Sequence, residues 1–247
     1  MSEFINADCM EYLPKYPDNY FDLAICDPPY GGGSSSDARD TCHGAIVGRF
    51  GGRFDKYFTG DGSMPTQSVK CSRTGGRSRK YQTNGGIFDH DIRHWDIAPE
   101  PAYFEQLRRI SKNQIIWGGN YFDLPPTRCF IVWRKRNIPA EGFTMAPVEY
   151  AWTSFNRNAE CFEKSSAGTP SNPRIHPTQK PVELYMWLLD KFAEPGMRIL
   201  DTHVGSGSSL IACERMGFEY VGFEIDGAYY KAASNRIEEE ARQKTLF

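Results

Sequence analysis

The chain has 247 residues, 40% of them hydrophobic, with 29 lysines and arginines against 31 aspartates and glutamates for a formal net charge of −2. That length makes one globular domain, with or without an elaboration, and buries enough apolar surface that neither disulfides nor metals are needed to hold it. So even a charge balance excludes a wholly basic nucleic-acid coat protein but leaves a local basic patch open.

In chain order, the N-terminal MSEFINADCMEYLPKY lacks the basic stretch and apolar run of a secretory signal, and no later segment approaches the ~18 apolar residues of a membrane span. A soluble cytoplasmic protein with no membrane partner is expected. The seven cysteines, at 9, 26, 42, 71, 129, 161 and 213, are odd in number and include no Cys-x-x-Cys pair, which suits a reducing compartment. Apolar runs rich in β-branched and aromatic residues predict strands near 4–7, 21–26, 114–117, 129–133, 148–153, 198–200 and 219–224. Helices are predicted over 100–110 behind Pro99, 181–193 opened by Pro181, 208–216 stopped by Gly217, and 227–241. Strands alternating with helices predict an α/β fold: a seven-stranded, mostly parallel sheet with helices on both faces.

Residues 31–86 differ from everything around them. They hold 13 of the 23 glycines, seven serines, and nine lysines and arginines against four acids, so this stretch is +5 and the remainder −7. Lacking apolar periodicity, the stretch reads as a surface loop. A loop this long in a compact domain is uncommon unless it binds, covers a site or is disordered, and a basic, glycine-rich one suits a polyanion. Arg73, Arg77, Arg79 and Lys80, interleaved with Tyr81, are its phosphate-contacting candidates. Arg134, Lys135 and Arg136, after Trp133, are a second set, with a solvated strand end as the alternative. Cys42, Cys71, His90 and His94 include a His-x3-His spacing, but without Cys-x-x-Cys no metal is expected.

Residues 21–30 read FDLAICDPPY, an apolar strand running into Asp27-Pro28-Pro29-Tyr30. The prolines remove backbone donors and fix φ, which leaves carbonyls in this turn as free acceptors. A carboxylate, a stiff carbonyl and an aromatic face thus meet at a strand's C-terminal end, the edge where ligands bind in open α/β sheets. They suit a planar substrate with an exocyclic NH2, such as adenine or cytosine. Its lone pair is delocalised into the ring, so the amine is a poor nucleophile until acceptors such as Asp27 and the Pro28 carbonyl draw on its protons.

Residues 197–226 read as a strand ending at Asp201, a Gly205-Ser206-Gly207 turn, a helix, and a strand ending at Glu224. This is half of a Rossmann-like unit, in which glycines admit a ligand to the backbone and the later acid binds ribose hydroxyls. A tight turn without ligand is the alternative. The third glycine of the dinucleotide fingerprint is replaced by Leu210, which favours a cofactor without phosphates over the nicotinamide nucleotide of an oxidoreductase.

Taken together, these segments resemble the DNA amino-methyltransferases, which methylate adenine N6 or cytosine N4. Asp27-Pro28-Pro29-Tyr30 is similar to their catalytic signature, and INADC at 5–9 to the segment that holds the cofactor adenine, implicating Asp8 and Cys9. HPTQKP at 176–181 resembles the tail-binding motif, implicating Thr178 and Lys180. DTHVGSG at 201–207 resembles the glycine turn, implicating Asp201, Thr202, His203, Gly205, Ser206 and Gly207, while FEID at 223–226 supplies Glu224. With the proline motif first and the glycine turn last, the order is that of the permuted β class.

The resemblance implies a Rossmann-like methyltransferase fold in one domain, 1–247, and the basic, glycine-rich composition makes 31–94 a DNA-contacting insertion by expectation. It further implies S-adenosylmethionine as cofactor, bound also by Asp27, and double-stranded DNA as partner, in a bacterial or phage-encoded enzyme. Adenine N6 is favoured because cytosine N4 members more often have Ser before the prolines; cytosine N4 and RNA amines are the alternatives. Members of this class often pair as homodimers. One departure is plain: the family's Asp-Pro-Phe is Asp201-Thr202-His203 here. Lys180, expected at the N-cap of a helix beginning with Pro181, is a poor capping residue whose charge opposes the helix dipole, which points to another task.

Overall fold

The computed structural model describes residues 2–31, 97–138, 146–166 and 174–244. Eight strands lie within them: β1 (Glu3–Asn6), β2 (Phe21–Cys26), β3 (Ser111–Trp117), β4 (Phe130–Arg134), β5 (Val148–Thr153), β6 (Glu160–Glu163), β7 (Arg198–Asp201) and β8 (Glu219–Glu224). They join one sheet in the order β1-β8-β7-β2-β3-β5-β4-β6. Seven are the predicted strands. The eighth, β6, spans only four residues, too few to show a period, and extends the sheet by parallel pairing with β4, Val132 opposite Cys161. Of these eight, only β5 is reversed, antiparallel to both β3 and β4.

Alternation along the strands makes two cores. In β2, Leu23 and Ile25 face one side, and Ala24 and Cys26 the other. The first side is covered by α2 (Val182–Phe192) and α3 (Ser208–Met216), through Leu184, Leu188, Leu210 and Ile211. The second is covered by α1 (Pro101–Ile110), whose Tyr103, Phe104, Leu107 and Ile110 recur at helical spacing. Helices therefore lie on both faces. Each fully buried Leu or Ile in these layers contributes roughly 1.5–3 kcal/mol. The last helix, α4 (Gly227–Lys244), buries Tyr229 and Ala233.

Two boundaries bear on the site. Gly217, at φ +77, ends α3 as expected, since a left-handed residue there costs glycine little. Helix α2 starts one residue later than expected, because Pro181 is the extended N-cap and its carbonyl accepts from Leu184 N at 3.1 Å. Lys180 accordingly stands before the cap.

β2 and β7 are neighbours whose successors, β3 and β8, lie on opposite sides of them. This is a topological switch point, where the loops part and leave a crevice beyond the strands' C-terminal ends. Among the described residues no helix is long and apolar enough to cross a membrane, and no group of His, Cys, Asp or Glu side chains could hold a metal ion.

Candidate active site

At the switch point a cleft of about 760 Å³ opens, lined by residues that end or follow β1, β2, β7 and β8, among them Asp8, Asp27, Tyr30, His203, Gly205 and Glu224. Pro28 and Pro29 turn the chain immediately after β2, and the Tyr30 hydroxyl donates to Asp27 Oδ1 at 3.0 Å. The Tyr30 ring stacks on Tyr121, with centroids 4.7 Å apart and planes 20° apart, and meets Phe122 edge-on at 6.1 Å. Tyr121 belongs to the 3-10 turn Gly119–Tyr121, which follows β3 through left-handed Gly118. Neither Gly118 nor Tyr121 was anticipated, although a Gly-Gly pair directly after an apolar strand was a visible cue.

Asp27 Oδ2 accepts an ion-paired hydrogen bond from Lys180 Nζ, which also lies 3.2 Å from Glu149 Oε2. The other Glu149 oxygen is 2.6 Å from Lys135 Nζ. Burial, with Glu149 adding to it, lifts the Asp27 carboxyl above its ordinary range against the pull of Lys180. Glu149 is half-buried between two ammonium groups, and their attraction outweighs the upward push of desolvation and holds its carboxyl below the ordinary range. Lys180 is also buried, yet its two carboxylate partners keep its ammonium more firmly protonated than usual. The lysine expected at a cofactor's tail is thus already engaged by two carboxylates of the chain.

Lys135 also departs from expectation. Proposed as a phosphate contact, it is buried against Glu149 with its ammonium 5.1 Å from the Trp133 ring. Its neighbours project to solvent, as alternation at a strand end requires, and Arg134 and Arg136 both pair with Glu163, at 3.2 and 3.3 Å. Arg73, Arg77, Arg79, Lys80 and the four candidate metal ligands lie outside the described residues.

On the other wall, Asp8 Oδ1 accepts from Met10 N at 2.9 Å, capping the 3-10 turn that contains buried Cys9, whose thiol burial pushes well up. Glu224 accepts from Gly205 N at 2.8 Å and from Asp226 N at 2.9 Å, which ties the glycine turn to the end of β8. Gly205 sits at φ +55, and a Cβ there would lie 3.5 Å from the His176 ring. His176 accepts at Nδ1 from Thr178 N at 3.3 Å, and burial lowers its imidazole to about 3, so it is neutral. Thr178 and Ser206 also line the cleft. Gly207 faces away from it: a Cβ would lie 3.3 Å from Ala233 of α4, so this glycine serves helix packing.

Asp201 is fully buried behind the lining, accepting from His203 N at 3.0 Å and from the Ser209 hydroxyl, and burial raises its carboxyl to about 7. Thr202 Oγ1 lies 2.6 Å from the Tyr103 hydroxyl and 2.9 Å from His203 Nδ1. His203 packs edge-on against Tyr103, with centroids 5.5 Å apart, and burial lowers its imidazole to about 4. Where the family pattern has Pro-Phe, this chain therefore has a neutral, hydrogen-bonded polar pair. Among the described residues, the cleft's only lysine or arginine is Lys180, already paired, while Asp8 and Glu224 offer acceptors. Such a lining suits a nucleoside without phosphates better than one with them.

A family model described as DNA methylase matches residues 132–235. Over 261 aligned positions the chain is 37% identical to the type II methyltransferase M2.DpnII of Streptococcus pneumoniae, covering 96% of this chain and 89% of that one. Among solved structures, the PvuII DNA methyltransferase (cytosine-N4-specific) is similar with a TM-score of 0.51 at 12% identity, covering 97% of this chain and 91% of the other. TTHA0409 of Thermus thermophilus gives 0.50 at 16% identity, with 97% and 96% covered. At these identities the structural likeness establishes the fold alone.

Proposed function

Since the chain belongs to the DNA amino-methyltransferases, we propose that it methylates the exocyclic amine of a base drawn out of double-stranded DNA, adenine N6 by preference, with S-adenosylmethionine as donor. The observation that carries this reading is the hydrogen-bonded pair of Asp27 and Tyr30, opening into the same cleft as Glu224 and the Gly205 turn. An amine inside the base stack is out of reach, so the target nucleotide is extruded. The base stacks on Tyr30 and donates N–H hydrogen bonds to Asp27 and the Pro28 carbonyl, which returns lone-pair density to nitrogen.

When bound, the cofactor supplies a methyl group on a positively charged sulfur. Glu224 is suited to its ribose hydroxyls, Asp8 and Cys9 to its adenine, and Thr178, Thr202, His203 and Ser206 to its methionine portion, while Asp201, behind the lining, holds the turn through His203 N and Ser209. Positioning, rather than a covalent intermediate, supplies the rate. No cysteine need act as nucleophile, and burial pushes the Cys26 thiol up to about 12. The basic segment 31–94 of this single domain meets the DNA backbone.

Methylation of plasmid DNA with labelled S-adenosylmethionine, followed by nucleoside analysis, tests this. N6-methyladenine is expected, N4-methylcytosine alone would overturn the preference for adenine, and labelling of RNA but not DNA would overturn the substrate. Asp27→Ala is expected to abolish transfer while cofactor still binds.

A further inference from the structure

Asp27 heads a row of four charged side chains leading away from the cleft: Asp27, Lys180, Glu149 and Lys135. Their side-chain exposures are 13, 2, 27 and 8%, and they come from four places in the chain: the end of β2, the approach to α2, the start of β5 and the residue after β4. Lys180 and Lys135 each lie 5.1 Å from the ring of a buried tryptophan, Trp117 and Trp133 respectively. Apolar side chains of similar size would hold these elements together at least as well, since desolvating charges is expensive. The row is therefore not explained by stability, and its end in the cleft is the carboxylate that faces the base.

Lys180 alone against Asp27 would hold the carboxylate firmly ionised and make it a weak proton acceptor. Glu149 divides the ammonium's attention, and Lys135 in turn tempers and anchors Glu149. We propose that Glu149, held by Lys135, is a positioning residue that shares Lys180 with Asp27, fixing the direction of the Asp27 carboxylate and keeping it able to take the proton released by the methylated amine. This rests on the function proposed for Asp27.

In that step the amine nitrogen uses its lone pair to bond the methyl carbon, and the carbon–sulfur bond breaks with its electrons left on sulfur. The nitrogen, now positive, sheds one proton to Asp27 and keeps the electrons of that N–H bond. Lys180 stays protonated throughout. Other ionisable groups facing Asp27 are the Tyr30 hydroxyl on its own turn, Tyr185 on α2 and Asp201 at the end of β7; His176 lies beyond Lys180.

The test uses the full chain and two variants, Glu149→Gln and Lys135→Gln, with methyl transfer measured in single turnovers across pH. Removing the Glu149 charge leaves Asp27 a weaker base, so the rate is expected to fall about tenfold or more and its acid limb to move to lower pH. Removing Lys135 is expected to move that limb to higher pH. Cofactor affinity stays within about twofold in both, since neither residue lines the cleft. A carboxyl 13C NMR titration of Asp27, assigned with Asp27→Asn, should give the same opposite displacements without turnover. A merely structural role would not produce opposite signs. An unchanged rate and profile in Glu149→Gln, displacements of equal sign, or lost cofactor binding would overturn the inference. If Glu149→Gln does not fold, the direction of the Lys135→Gln displacement decides. Should the unaltered chain methylate no nucleic acid, the proposed function falls while the NMR titration still judges the network.

Discussion

Tyr30 fills the space that a side chain at Gly118 would need: a Cβ there would lie 2.1 Å from Tyr30 Cε1, and the backbone sits at φ +66. The turn after β3 thus sets how closely the aromatic face after β2 approaches the neighbouring strand. Gly118→Ala is expected to cost about 1 kcal/mol in the left-handed conformation and to push Tyr30 off its seat. Methyl transfer should fall about a hundredfold, the scale of a misplaced reacting group, while calorimetric cofactor affinity changes little.

Two substitutions separate what Tyr30 does. Tyr30→Phe keeps the ring and loses the hydroxyl on Asp27, so transfer should drop only by about two- to tenfold, as for one hydrogen bond. Tyr30→Ala removes the stacking face and should weaken capture of the extruded base by about 1–3 kcal/mol. Fluorescence of 2-aminopurine at the target position reads the difference.

Asp201 links folding to pH. Its carboxyl titrates near 3.8 when exposed and at about 7 in the fold, so folding takes up a proton between those values. The stability this proton supports is complete below 3.8 and is lost as pH rises through 7. Against Asp201→Asn, which does not titrate, the unaltered chain should lose on the order of a few kcal/mol between about pH 4 and pH 8. Urea unfolding of both proteins across that range measures it.

The charge asymmetry carries its own test. A Cβ at Gly31 would lie 3.2 Å from Ala98 N, so the basic segment leaves and rejoins the fold at one point beside the cleft. Deleting 34–84 removes nine basic and four acidic residues. DNA affinity should fall and the slope of log affinity against log salt should flatten, with cofactor binding preserved. Equal salt slopes would refute a backbone-contacting role.

Much of the site was legible because its parts are local. A carboxylate ahead of two prolines and a tyrosine, and a glycine turn between a strand and a helix, each declare their chemistry within a few residues. The Lys135 ammonium was misjudged because a basic triplet looks alike whether its middle member points out or in. Glu149 passed unnoticed because a lone acid at the start of a strand carries no pattern of its own. Short β6 left no period to read.

What the amino-acid order determined alone was the α/β class, seven of the strands, the four helices, and the motifs that bring acceptors and glycines to strand ends. These follow from backbone restriction and side-chain periodicity, which act over a turn or a pleat. Only the tertiary structure decided that β5 runs against its neighbours, which puts Glu149 at the same edge as Asp27 and turns Lys180 toward both. Strand direction is set by pairing across the whole sheet, and the partners of a buried charge are set by which elements desolvate it together. Neither is written in any one stretch of chain.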